Sequence, residues 1–523
     1  MHSAAAIQFE TLDVPVLNYI KSLESDNRRL QEYQYKYLEL KEQYDLLVYQ
    51  KFVRSAEQLR ADDKQHPLFA EEPEQPKPPE PETEKQEVKS YTRNKPGRKP
   101  LDPNLRRVEE IIDIPEDEKT CACGEKMDRI GEETSEKLEI IPQSVFVRKT
   151  IRPKYACRCC EGTADETKPA VIIAPVPPAI IPRSIASASL LSYIIIQKYL
   201  DHLPFYRQET QFQRIGVQIS RQDMANWQQQ IYTALKPLFD LLKAVVKDGP
   251  VIRMDETTVQ VMGEEDRSDT QKSYMWLARG GPPGETVVVY EYRQTRAAEH
   301  ARDFLEGFSG YLQTDGYEGY DCAVKALPGI THVGCFAHAR RKFFEASKAS
   351  CKPQSAEEGI KHIRALYEIE NKLRDDLKNK IKSENEFLAE RKKQAEPVLS
   401  AFREWLNKRS NAVLPSALLG KAVAYTLNQW DKLVRYLESP YLTPDNNASE
   451  NAIRPFVLGR KNWLFNKSPD GAKSSCGMYT LIETAKQNGV EPLAYLRALF
   501  EKAPLASSRE DWEKLLPWNI FKS

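Results

Sequence analysis

The chain has 523 residues, 29% of them charged, which is too long for one hydrophobic core. No stretch approaches the roughly 20 apolar residues that span a bilayer, and the N-terminus lacks the charged-then-apolar layout of a secretory leader. The expectation is therefore a soluble, multidomain, cytoplasmic protein. A formal net charge of zero argues against a nucleic-acid partner only where charge is evenly spread. Here it is segregated: residues 71–89 are acidic and Pro-rich, while basic clusters fall at residues 93–99, at Arg340, Arg341 and Lys342, and at Arg454 with Arg460 and Lys461.

Residues 1–66 carry a helical seam. Val16, Tyr19, Leu23, Leu30, Tyr33, Tyr37, Leu40, Tyr44 and Leu47 follow alternating spacings of three and four, broken in register only at Asp26. This is the a/d pattern of a coiled coil, or of a helix packing on its own domain. Residues 67–106 are rich in Pro, Glu and Lys and read as a disordered linker. Within it, Arg98 and Lys99 lie in Gly97-Arg98-Lys99-Pro100. Such a motif can lie extended in a narrow minor groove, or it is a plain basic linker.

Five of the nine cysteines crowd into residues 107–165, which read as a small zinc-finger-like module. Two pairs, Cys121 with Cys123 and Cys157 with Cys160, can make a tetrahedral sulfur site for Zn²⁺, with Cys159 in reserve. A β-like run at 144–151 lies between them. The alternative is a set of reduced structural thiols. Residues 166–245 read as helical. Ile215 and Gly216 end one helix, and Ser220 with Asp223 forms a capping box for the next. Helix, glycine turn, capped helix is the layout of a helix-turn-helix, shared by many hairpins that never meet DNA. The first turn of its second helix offers Arg221, Gln222 and Asn226, side chains able to read base edges.

From residue 246 the texture becomes α/β. Strands are predicted at 251–262, 273–278 and 286–292, a helix at 298–308, strands at 310–314 and 331–336, and a helix at 337–347. Three strands, a helix, a strand, then strand and helix is the order of a ribonuclease-H-like core. Residues 352–437 interrupt it with a charged helical insertion. The core resumes over 438–490, and 491–523 form a helical tail.

Phosphodiester transfer needs an activated oxygen nucleophile and a stabilised leaving oxygen, which two Mg²⁺ ions about 4 Å apart supply together. Three carboxylates can hold such a pair. Asp255 lies in the first strand, Asp315 ends the fourth, and Glu450 opens a helix with Arg454 one turn later, suited to a DNA phosphate. Gly316 frees the backbone to turn sharply after Asp315. Singly, each acid is more commonly a strand-end, turn or cap residue, and it is their joint placement in this strand order that favours catalysis.

Ordered motifs extend this reading: Lys198-Tyr199-Leu200-Asp201-His202-Leu203-Pro204, Met254-Asp255-Glu256-Thr257, Thr314-Asp315-Gly316-Tyr317, Cys335-Phe336-Ala337-His338-Ala339-Arg340-Arg341-Lys342-Phe343 and Leu458-Gly459-Arg460-Lys461-Asn462-Trp463. Between residues 95 and 500 the chain resembles the large transposase of the bacterial insertion-sequence family sixty-six. The resemblance implies a DDE transposase that binds terminal inverted repeats and target DNA, cleaves a strand and transfers it. It implies Asp255, Asp315 and Glu450 as the triad and two Mg²⁺, replaceable by Mn²⁺. It further implies a homodimer or higher oligomer acting at the nucleoid, and two small accessory proteins encoded by the same element. Two positions depart from the family pattern: the first cysteine pair encloses one residue instead of two, and Asn451 follows Glu450 where arginine is usual. The competing reading is a catalytically inactive, domesticated DNA-binding descendant.

Overall fold

The computed structural model describes residues 14–49, 145–156, 171–349 and 353–522. The chain divides into two units, one spanning residues 71–176 and the other the remainder. In the smaller unit, β1 (Lys154–Ala156) pairs antiparallel with β2 (Val171–Ile173), Tyr155 opposite Ile172. The Arg152 guanidinium donates to the Ala174 carbonyl at 2.6 Å. The β-like run predicted at 144–151 is not a strand where it is described, from residue 145: pairing starts only at Lys154, and Phe146, Val147 and Ile151 stay exposed. An apolar alternation without a partner strand has no ladder to join. The linker with Arg98 and Lys99, and all five clustered cysteines, lie outside the described residues.

The larger unit opens with α1 (Val14–Val48). Its C-terminal part touches its own chain: Glu42 accepts the Leu418 N–H at 3.1 Å, Glu39 stands 3.7 Å from Lys421, and Tyr49 meets Phe344 edge-on. All nine seam residues are exposed. Next come α2 (Ala188–Tyr199), α3 (Phe205–Arg214), α4 (Arg221–Ala234) and α5 (Lys236–Val245). The capping box at Ser220 is made in both directions. Gly216 sits at φ +80°, the left-handed region that ends α3. Ile194, Phe212, Ile219 and Met224 fill the wedge behind this helical pair. On its inner side, Gln228 of α4 accepts the Tyr199 hydroxyl at 2.6 Å.

A mixed sheet follows: β3 (Val251–Val261), β4 (Lys272–Gly280), β5 (Val287–Arg293), α6 (Ala298–Leu305), β6 (Gly310–Gln313), α7 (Glu318–Lys325) and β7 (Ile330–Val333). Spatial order is β5-β4-β3-β6-β7. The first three strands are antiparallel neighbours, and β6 and β7 run parallel to β3. Between β6 and β7 the sequence reading missed α7. That helix has eight residues with Gly319 inside, too short to show a period.

Then come α8 (Phe336–Ala349), α9 (Gln354–Lys378), α10 (Glu384–Ser410), α11 (Leu418–Asn428) and α12 (Trp430–Leu433). Helices α9 to α12 share a second core with α8, built on Phe343, Phe402, Trp405 and Tyr436. The chain returns to the sheet through α13 (Asn447–Trp463), β8 (Phe465–Asn466), which pairs parallel with the far end of β3, and α14 (Pro469–Gln487). Helix α14 covers the open edge of β5. Thr484 and Thr480 accept the Val288 and Tyr290 backbone N–H groups at 3.1 and 3.0 Å, satisfying donors that an edge strand otherwise leaves free. Helices α15 (Pro492–Lys502) and α16 (Arg509–Lys514) close the core. No described helix is long and apolar enough to cross a membrane.

Candidate functional site

Strand β3 sets the site's floor. Arg253 stands opposite Gln313 of β6, and its Nε donates to the Gln313 side chain at 3.1 Å in a buried pair. Two residues further along lie Asp255, on the same face of β3 as Arg253, and Asp315, just past the end of β6. The Asp255 carboxyl is pushed up to about 8, first by burial, then by the charges of Glu256 and Glu450, with Asp315 adding to them. Its Oδ1 accepts the Glu256 N–H at 2.9 Å. The Asp315 Oδ1 accepts the Tyr317 N–H at 3.0 Å, and its Oδ2 stands 3.7 Å from the Arg296 guanidinium. Arg296 also grips Glu256, which receives the Tyr320 hydroxyl as well.

The chain bends at Gly316, directly after Asp315, without entering the left-handed region. A Cβ there would stand 2.7 Å from the Tyr425 hydroxyl, so the glycine permits α11 to approach the loop.

Glu450 lies in the first turn of α13. The start of that helix is fastened to β3, because the Asn446 amide donates to the Met254 carbonyl at 2.9 Å. It is fastened to α8 as well: the Asn446 backbone N–H donates to the Cys335 thiol at 3.2 Å, and the Phe336 N–H to the Pro444 carbonyl at 2.9 Å. These links bring His338, in the first turn of α8, to Glu450, Nδ1 to Oε1 at 3.6 Å. Burial pulls the imidazole below its ordinary value, against the pull of Glu450.

The carboxylates of Asp255, Asp315 and Glu450 thus come from β3, the end of β6 and α13. Burial first and the neighbouring negative charges second raise the Asp255 carboxyl, and a divalent cation would relieve that concentration of charge. Three residues not singled out in the sequence also belong here. Glu256 could have been suspected from the Asp-Glu doublet, and His338 from its place in the Cys335–His338 motif. Arg296 gives no local signal.

The remaining sequence candidates disperse around this centre. Arg454 is exposed one turn beyond Glu450, and Lys461 is exposed at the end of α13. Arg460 is half-buried and donates to Thr258 of β3 at 3.1 Å, so it ties α13 to the sheet. Arg341 is exposed, Arg340 is half-buried, and the Lys342 ammonium lies 4.8 Å over the Tyr425 ring. Arg221 and Gln222 are exposed on α4, Gln222 donating to Asn226 at 3.0 Å.

Residues 183–474 match the model of the Transposase IS66 family. Residues 118–161, which include all five clustered cysteines, match the zinc-finger binding domain of transposase IS66. Residues 480–518 match the IS66 C-terminal element, and 39–109 the model described as Transposase C of IS166 homeodomain. Similar proteins occur in Sinorhizobium fredii. The uncharacterized protein y4hP is 32% identical over 451 residues, 82% of this chain and 78% of the relative. The uncharacterized protein y4qI is 34% identical over 434 residues, 81% of this chain and 77% of the relative.

Proposed function

Because the chain belongs to the IS66 transposase family, we propose that it is a DDE transposase that binds its element's ends, cleaves a strand there and transfers it to target DNA. The observation that carries this reading is the placement of three carboxylates: Asp255 on β3, Asp315 just past the neighbouring β6, and Glu450 in the first turn of α13, whose start Asn446 fastens to the Met254 carbonyl beside Asp255. Asp255, Asp315 and Glu450 would hold the divalent ions, which supply activation of the attacking oxygen and stabilisation of the leaving one. The strand order, three antiparallel neighbours followed by two parallel ones, supports a ribonuclease-H-like core.

The chain's own residues would hold and orient the substrate. Arg296 fixes Glu256 and reaches Asp315, keeping that carboxylate from swinging away. Arg454, Arg341, Lys342 and Lys461 offer cations along the approach to the centre, and the first two turns of α4 offer the exposed Arg221, Gln222 and Asn226 to base edges. Zn²⁺ would be held by Cys121, Cys123, Cys157 and Cys160. The exposed seam of α1 supports pairing with a second copy.

The test is cleavage of end DNA by purified protein in Mg²⁺ or Mn²⁺. Asp255→Asn, Asp315→Asn and Glu450→Gln should each abolish cleavage while end binding persists. Wild-type protein that binds ends and never cleaves them would favour the inactive DNA-binding descendant instead.

A further inference from the structure

The buried polar atoms around Glu450 do not all find partners. Neither the Glu450 Oε1 nor the His338 Nδ1 has a hydrogen bond among the described residues, although both atoms are shielded from solvent. An imidazole N–H aimed at a carboxylate settles near 2.8 Å; here the two atoms face each other at 3.6 Å. Two ligand atoms each held about 2.1 Å from one metal ion stand roughly 3.0–3.5 Å apart. The gap is too wide for a hydrogen bond and lies just beyond the spacing of two ligands on one cation, which a small inward shift of either side chain would reach. The backbone placement is rigidly set, since each residue occupies the first turn of its helix and the Asn446, Phe336, Cys335 and Pro444 contacts lock the two helix starts together.

We propose that His338 is a metal ligand, sharing through Nδ1 the cation that Glu450 holds, so that one metal position in the site has a mixed nitrogen–oxygen ligand set and prefers Mn²⁺ to Mg²⁺. The proposal rests on the reading of Glu450 as a metal-holding residue. Mg²⁺ demands hard oxygen donors, whereas Mn²⁺ accepts imidazole more readily. The Cys335 thiol also lies within 4.8 Å of both ligand atoms. It is fully buried and already accepts the Asn446 N–H, so it fastens the start of α13 and stays out of the ligand set.

The experiment titrates full-length protein with Mn²⁺ alone, followed by electron paramagnetic resonance, with Mg²⁺ competition. Nitrogen couplings in the bound-Mn²⁺ spectrum report an imidazole ligand directly. Wild type should show a nitrogen coupling. His338→Ala should lose it and bind Mn²⁺ at least tenfold more weakly. His338→Asn, which puts an amide oxygen near the Nδ1 position, should keep a site whose Mn²⁺:Mg²⁺ selectivity has fallen several-fold. Cys335→Ser should change none of these. A wild-type spectrum without nitrogen coupling overturns the proposal, whether or not the variants fold. So does unchanged Mn²⁺ affinity in His338→Ala, or stoichiometric Zn²⁺ binding at this site that Cys335→Ser abolishes. Failure of the underlying transposase reading shows elsewhere, as DNA cleavage that survives Asp255→Asn.

Discussion

Asparagine at position 255 should make the metal-free protein more stable. The Asp255 carboxyl rises from its ordinary 3.8 to about 8, by burial first and then by Glu256, Glu450 and Asp315. The folded chain thus holds this proton roughly ten-thousandfold more tightly than the unfolded one, about 6 kcal/mol at ~1.4 kcal/mol per tenfold. Because the folded value lies above the unfolded one, this contribution is fully present below about pH 4. It is lost as pH rises towards about 8, where keeping the folded state means keeping a costly proton or a costly charge. Asparagine has nearly the same shape and never ionises. With side chains relaxing around the acid, Asp255→Asn should gain about 2–4 kcal/mol at pH 8 in chelator, a rise in Tm of roughly 4–8 °C at ~2 °C per kcal/mol. The gain should shrink steadily as pH falls to about 4. Mn²⁺ should reverse the order by stabilising the wild type more than the variant, which keeps only the ligands other than Asp255. Calorimetric scans at several pH values, with chelator or with Mn²⁺, measure all of this. A variant no more stable than wild type at pH 8 in chelator, or a gap that does not vary with pH, would refute the reasoning.

Arg391→Met removes a fully buried guanidinium that bonds Glu370 and three carbonyls of the segment leading to Glu450. Denaturant unfolding should show a loss of about 3 kcal/mol, and DNA cleavage should fall by more than DNA binding. Replacing Arg341, Lys342, Arg454 and Lys461 with Ala should weaken binding to all DNA sequences and flatten its salt dependence, read by fluorescence anisotropy across a salt series; an unchanged slope returns these residues to plain solvated surface. Protein purified without chelator should carry about one zinc per chain, lost in Cys157→Ser and Cys160→Ser; elemental analysis without stoichiometric zinc would refute the ligand set. Removing residues 1–60 should spare binding to a single DNA end and impair assembly of paired ends, as seen by sedimentation; paired complexes forming as readily as with the full chain would make the seam purely local packing.

What was legible in the sequence is what local pattern encodes. Strands β3 to β5 announce themselves by apolar runs bounded by Gly and Pro, and the start of α4 by Ser220 and Asp223. Motif position brought Asp255, Asp315 and Glu450 forward before any geometry was known. The rest depends on contacts between distant segments. No spacing rule pairs Arg391 with Glu370, Arg296 with both Glu256 and Asp315, or His338 with Glu450, because each pair forms only after segments distant in sequence come together. The bend at Gly316 was legible, but its second use was not: its lack of a side chain also makes room for the Tyr425 ring, which belongs to the distant α11. Arg460 looked like a free cation because its threonine partners lie on β3.

The helices between α8 and α13 have the look of an appendage, yet the contacts argue that the site cannot be assembled without them. Asp255 and Asp315 are positioned by the sheet itself, whereas Glu450 rides on a helix that reaches β3 only through side chains, Asn446 at its start and Arg460 near its end. Its approach segment must be held from both sides. From the helical side, Arg391 takes the Tyr436 and Ser439 carbonyls at 2.7 and 2.9 Å, and Arg374 takes those of Pro440 and Leu442. From the sheet side, Arg253 takes the Tyr441 carbonyl at 2.8 Å and Gln313 that of Thr443 at 2.6 Å. Buried guanidinium donors on backbone carbonyls are strong and directional, and leaving them unmade is expensive. The segment is thereby fixed residue by residue up to Asn446, which hands the constraint on to β3. On the opposite flank, Tyr425 of α11 closes against Gly316 beside Asp315. An element that fastens the approach to one carboxylate and abuts the loop of another is part of the site's frame. Its insertion between the second and third acids in sequence follows from that placement.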